Sequence, residues 1–219
     1  MENRIIKNLR KDFLVEFRNR SAVNISFAFA GITTLSVSLA TGGIRLQPDI
    51  QSIILWIIVF FSGMSGLAHI FIREEEEKTS LFLSLHSTPE EIYISKLIFN
   101  IAFFLVICFA VTPLFVFFLQ ALPVHLIFFI LTVAAGSIAI ASVSTILGAI
   151  VSKAGNSGTL FTVIAFPLML PVLWISIGLT TSCFDPSVQP DCRGLLFLLA
   201  FSGVIISASY LSFRFVWTE

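Results

Sequence analysis

The chain has 219 residues, of which 57% are hydrophobic and 12% charged, and its mean hydropathy is +0.98. A soluble globule of this size is excluded, because 13 basic and 13 acidic side chains cannot coat a core that includes 24 phenylalanines. The formal net charge is zero, so the total says nothing about partners and only the placement of charges can. Three cysteines exclude a disulfide scaffold.

The first twenty residues describe an amphipathic helix. Ile6, Leu9, Phe13 and Phe17 recur at helical spacing, while Arg4, Lys7, Arg10, Lys11 and Arg18 occupy the other positions. Residues 1–23 are therefore expected to lie in a headgroup layer before the first crossing. Six apolar stretches follow: Asn24 to Thr41, Ile50 to Ile72, Leu97 to Leu119, Val124 to Val151, Leu160 to Leu179 and Leu195 to Phe215. Each is near or above the roughly 20 residues a helix needs to cross about 30 Å of hydrocarbon, where every backbone group must pair within its own segment. In the first, Thr33, Thr34, Ser36 and Ser38 dilute the hydrophobicity, and their hydroxyls can bond back to the helix or across to a neighbour. The expected architecture is an all-α membrane protein, one domain of six transmembrane helices with an interfacial helix at its N-terminus.

The positive-inside rule orients it. With the N-terminus inside, the inner segments hold Arg4, Lys7, Arg10, Lys11, Arg18, Arg20, Arg73, Lys78, Lys96, Lys153 and Arg214, against Arg45 and Arg193 outside. Both termini are expected in the cytoplasm of a multi-pass bacterial inner-membrane protein, with no cleaved signal peptide.

Between the second and third spans lies the largest polar stretch, residues 73–96, REEEEKTSLFLSLHSTPEEIYISK. Glu74, Glu75, Glu76 and Glu77 must face water. Leu81, Phe82, Leu83 and Leu85 form an apolar patch too short to cross the membrane, which either lies on the bilayer and neighbouring helix ends or inserts into a cytosolic partner that the acidic run would steer if basic. Ser87, Thr88 and Pro89 followed by Glu90 and Glu91 signal a helix start, since a hydroxyl caps open N–H groups and acids suit the positive end of the dipole. The alternative to a docking element here is a solvated loop.

The remaining connections are short, apart from the outer loop from Thr180 to Gly194, where Cys183 and Cys192 could close a disulfide in an oxidising periplasm. The fifth span carries FPLMLPVLW, in which Pro167 and Pro171 each remove a backbone bond next to Trp174. A static kink and a hinge or wall of a substrate path are both open. Ser137, Ala141, Thr145 and Ala149 repeat every four residues and mark a face where a second helix can approach closely. Cys108 reads as a small buried hydrophobe.

Catalytic motifs are lacking. There is no G-x-x-x-x-G-K-[ST] to cradle nucleotide phosphates and no H-E-x-x-H or paired C-x-x-C, and nothing points to nucleic acid. Neutral His69 or His125 could in principle ligate haem iron, but an imidazole at a membrane boundary more often serves as an amphipathic side chain. Acids inside the spans are nearly absent, which argues against an ion-coupled transporter. If this chain does work, the energy is supplied from outside it.

LRKDFLVEFRNRSAVN at Leu9 to Asn24, IREEEEKTSLFLSLHSTPEEIYISKLI after the second span, and FPLMLPVLW at Phe166 to Trp174 together resemble type-2 ABC exporter permeases, and within them the CcmB family, haem exporter protein B of cytochrome c maturation. The resemblance implies a non-catalytic membrane subunit beside a separate ABC ATP-binding subunit, a second copy of this chain, haem-handling membrane subunits and a periplasmic haem chaperone. It implies no directly bound cofactor, ATP held by the partner, and haem as a substrate of the complex. Glu74 to Glu77, Leu81, Leu83, Pro89, Glu90, Glu91 and Lys96 would form the element that couples to the ATPase. Either haem crosses the bundle, or ATP is spent on releasing a haem-loaded chaperone. Another type-2 ABC permease for a lipid, glycan or drug, or a scaffold without transport, are the competing readings.

Overall fold

The computed structural model describes residues 2–76, 88–153 and 157–218. Among them the chain forms α1 (Glu2–Asn19), α2 (Ser21–Thr41), α3 (Pro48–Glu76), α4 (Pro89–Leu119), α5 (Leu126–Lys153), α6 (Ser157–Phe184) and α7 (Cys192–Thr218), with no strand. Six of the helices are long and apolar enough to cross a membrane, and α1 is the exception.

Several helices run past the apolar stretches that announce them. Helix α3 continues to Glu76, and α4 begins at Pro89 as the helix start at Thr88 and Pro89 predicts, so both ends of the polar stretch 73–96 are helical. Backbone amides keep pairing i to i−4 regardless of side-chain polarity, and a helix stops only where capping or a turn intervenes. At 1.5 Å per residue α3 is about 43 Å long and α4 about 46 Å, both well beyond a core of about 30 Å. Their excess carries the charged residues and lies at one end of the bundle.

Helix α5 is the hub. It packs against α3, α4, α6 and α7, while α2 leans on α3 and α4. Ser137, Ala141 and Thr145 are buried, and Ala149 packs with Ile92, Tyr93 and Leu97, so the small-residue face meets α4 as its repeat predicts. Across that seam Ser137 Oγ donates to Cys108 Sγ at 2.9 Å, and Asn100 Nδ2 donates to Thr145 Oγ1 at 2.9 Å. Trp56 of α3 lies directly over Gly136 of α5, where a Cβ would overlap the indole, and its Nε1 donates to Thr180 Oγ1 of α6 at 2.8 Å. One side chain thus joins three helices. Without a hydrophobic drive between helices in lipid, such close packing and interhelical hydrogen bonds hold the bundle together.

The hydroxyls of α2 act in both expected ways. Thr33 Oγ1 donates back to the Phe29 carbonyl at 2.7 Å, and Ser38 Oγ reaches across to the Phe118 carbonyl of α4 at 2.9 Å. At the same end the amides of Val124 and His125 donate to the Cys183 carbonyl at 2.8 and 3.2 Å, tying the α4–α5 turn to the end of α6.

Replacing Gly136 by Val should displace Trp56 and break its bond to Thr180. Overpacking of this kind costs about 1–3 kcal/mol. A fall in the thermal midpoint of the detergent-solubilised protein, with Gly178→Val as a control at a position open around its Cα, checks it.

Candidate functional site

The charged residues gather where α1 meets the start of α4. Thr88 caps α4 with a full capping box: its Oγ1 accepts from the Glu91 amide at 3.4 Å, and Glu91 Oε2 accepts from the Thr88 amide at 3.1 Å. Pro89 occupies the first turn, where its missing N–H costs nothing. Glu91 is buried in this role and Glu90 is half-buried. Of the residues read as a coupling element, then, Pro89 and Glu91 build the helix start itself.

Lys96 lies two turns further on and is not at the water surface. Its Nζ pairs with Asp12 Oδ2 of α1 at 3.2 Å, and both side chains are only 6% exposed. Asp12 Oδ1 also pairs with half-exposed Lys11 at 3.1 Å. One turn further along α1, Glu16 is buried, and its Oε1 accepts from the Val23 amide at 3.1 Å. That contact supplies the cap that α2 lacks, because Arg20, at its start, stands in the left-handed region (φ 52°) and makes no side-chain cap. Phe13 meets Phe99 of α4 edge to face at 5.1 Å. The face of α1 against the bundle is therefore Leu9, Asp12, Phe13 and Glu16, a spacing of i, i+3, i+4, i+7.

The apolar stripe of the interfacial helix thus divides between the bundle and the surface. Leu9 and Phe13 pack inward, whereas Ile6 and Phe17 are exposed. Asp12 and Glu16 were missed because acids on an amphipathic helix read as its wet face. The available signal was that both share a face with Leu9 and Phe13, and that Lys96 sits in an otherwise apolar run.

Glu74, Glu75 and Glu76 form the last turn of α3. Glu77, Leu81, Leu83 and His86 lie outside the described residues, as does the centre of the Gly/Ser-rich turn at 154–156. Acids at a helix C-terminus face the negative end of the dipole, so this turn gains from a cationic neighbour.

The loop between α6 and α7 is flanked by the two cysteines as separate thiols. Cys183 is a buried thiol at the end of α6 and Cys192 an exposed thiol at the start of α7, both free. The Cys183 end of α6 is anchored inward by the amides of Val124 and His125, which holds it away from the exposed loop. Within that loop Asp185 Oδ1 accepts from the Ser187 hydroxyl at 2.6 Å and its amide at 2.9 Å, which holds the carboxyl below its usual range. Helix α6 runs through Pro167 and Pro171 without a break, and both prolines and Trp174 (80% exposed) lie on its outward face. His125 is half-buried beside the Cys183 carbonyl. Among the described residues no cluster of three His, Cys, Asp or Glu side chains is placed to hold a metal ion.

With this geometry in place, the comparison with known families is decisive: the family described as CcmB protein matches residues 3–213. The chain belongs to the CcmB family. That is the haem exporter protein B family, and membership makes this CcmB chain a multi-pass membrane permease subunit of a haem-export ABC system for cytochrome c maturation, a complex with an ATP-binding subunit. No curated relative matches the chain.

Removing one member of the buried pair strands the other charge in a dry site, at a cost of about 3–5 kcal/mol. Asp12→Ala and Lys96→Met should each lower the thermal midpoint and expose α1 to limited proteolysis. The double change Asp12→Leu with Lys96→Met should regain most of the loss, since well-packed apolar replacements of a buried pair are often neutral.

Proposed function

We propose that this CcmB-family subunit receives force from its ATP-binding partner through the joint formed by the end of α3, the start of α4 and α1. The observation that carries this reading is the Asp12–Lys96 pair, which ties α1 to the first turns of α4. Movement of α4 must drag α1, and α1 continues into α2 through the Glu16 carboxylate on the Val23 amide. Four crossing or interfacial elements would then move from one docking point, which is what a permease without its own nucleotide site requires.

Glu74 to Glu77 would meet the ATP-binding subunit, and the place of Glu74, Glu75 and Glu76 in the last turn of α3 favours a basic surface there. Leu81 and Leu83 would insert into it, with Glu90 at its edge. ATP is held by that partner, and haem is the substrate of the complex, handled with further membrane subunits and a periplasmic haem chaperone. The joint faces the cytoplasm of the inner membrane, as do both termini, because α1 concentrates Arg4, Lys7, Arg10, Lys11 and Arg18 at this end. A second copy of this chain completes the permease, and the outward face of α6 with Pro167, Pro171 and Trp174 is the flexing wall it would share. This motion serves haem export or the release of a haem-loaded chaperone.

Two experiments test the reading. Reversing Glu76 and Glu77 to Lys should reduce co-purification of the ATP-binding subunit by at least about tenfold, the effect of 1.4 kcal/mol, and undiminished recovery after reversal and deletion of residues 78–86 would refute it. Labelling intact cells with a membrane-impermeant maleimide should modify Cys192 and leave Cys183 and Cys108 unmodified, whereas labelling of Cys192 only from the cytoplasmic side would invert the topology.

A further inference from the structure

Beyond coupling, the corner where α1 turns into α2 holds a cavity of about 350 Å³ between that corner and α4. Its body is apolar, lined by Phe13, Phe99, Ala102, Phe103 and Val106, with Phe17 at the mouth, itself 70% exposed. From Phe99 to Val106 it follows α4 for about 10 Å, two-thirds of the depth of one leaflet's hydrocarbon. The polar lining residues sit at the α1–α2 turn: Arg20, Asn24 and Glu16. Glu16 directs Oε1 to the Val23 amide, so its carboxylate serves the start of α2. Arg20 is exposed, and its Nε donates to the Phe17 carbonyl at 3.3 Å, which holds the guanidinium beside the opening. Arg18 and, further along α1, Arg10, Lys7 and Arg4 are also exposed.

We propose that this cavity binds one anionic phospholipid, with an acyl chain along α4 and the phosphate on Arg20. An apolar slot opening sideways at the level where an interfacial helix meets a membrane span is entered from the bilayer, and the basic surface around its mouth selects negative headgroups. Guanidinium suits a phosphate because its planar donors can bind two oxygens at once. A lipid seated there would fill the angle between α1 and α4 beside the Phe13–Phe99 contact and hold α1 in place. The proposal does not depend on ATPase docking, and its readout is lipid retention alone.

The test uses the full-length chain, delipidated in detergent and titrated with palmitoyl-oleoyl phosphatidylglycerol or the matching phosphatidylcholine, with bound lipid counted by native mass spectrometry. Wild type should retain one phosphatidylglycerol at least about fivefold more tightly than phosphatidylcholine, the ratio expected of one basic residue near an anionic surface. Arg20→Gln should bring the two lipids close to parity and Arg20→Lys should keep most of the preference. Ala102→Phe should displace both lipids, and Val106→Trp, at the lipid-facing lip, provides a second plug should the first variant fail to fold. Equal retention of both lipids by wild type, a preference that survives Arg20→Gln, or undiminished retention in a folded plugged variant would overturn the proposal. So would a photo-crosslinker at Phe17 that captures a protein chain in place of lipid.

Discussion

A carboxylate and an ammonium group, both almost wholly removed from water, join the interfacial helix of this CcmB chain to its third membrane span. Such a pair contributes little net stability when intact, because desolvation offsets most of the attraction. Its mechanical consequence is larger than its energy. Separating Asp12 from Lys96 would leave two bare charges in a dry site, so the two helices must move together or part at high cost. The geometry of the joint is built around this constraint: the edge-to-face contact of Phe13 on Phe99 and the carboxylate of Glu16 lie about one turn from the pair, and the slot between α1, α2 and α4 reaches about three turns along α4 from it.

The rest of the bundle is built differently. Its helices meet through small residues and hydroxyls, with Trp56 over Gly136 and Asn100 against Thr145 as the points where shape and hydrogen bonding coincide. Contacts of this kind permit close approach of α5 to four neighbours and give the bundle a firm frame. Beyond that frame, α3 and α4 extend as regular helix past the apolar stretches that announce them. The glutamates closing α3 and the capping box opening α4 mark where regular helix ends and begins.

Much of this was legible before any coordinates. Six crossings, the interfacial helix, the small-residue face of α5 and the helix start at Thr88 are local properties, set by hydropathy, spacing and capping chemistry, and the resemblance to CcmB rested on contiguous motifs. The candidate site was legible only in part. Lys96 was singled out, but as the end of a loop; its burial depends on a carboxylate 84 positions earlier in the chain, which spacing cannot pair with it. Glu91 reads as an acid of the helix start, and the capping box gives it that place. Cys183 and Cys192 share a short loop, yet one thiol is drawn into the bundle and the other left outside.

By itself, then, the sequence determined the solvent, the number of crossings and where charge accumulates, because transfer energies and backbone pairing act residue by residue along a helix. Only the tertiary structure decided which polar groups leave water. Asp12 and Glu16 read as surface residues of the interfacial helix, Asn100 as a lone polar group within a span, and all three are buried because a neighbouring helix covers them. Whether a charge is solvated or paired depends on what stands opposite it, and that is a property of packed helices that no single segment carries.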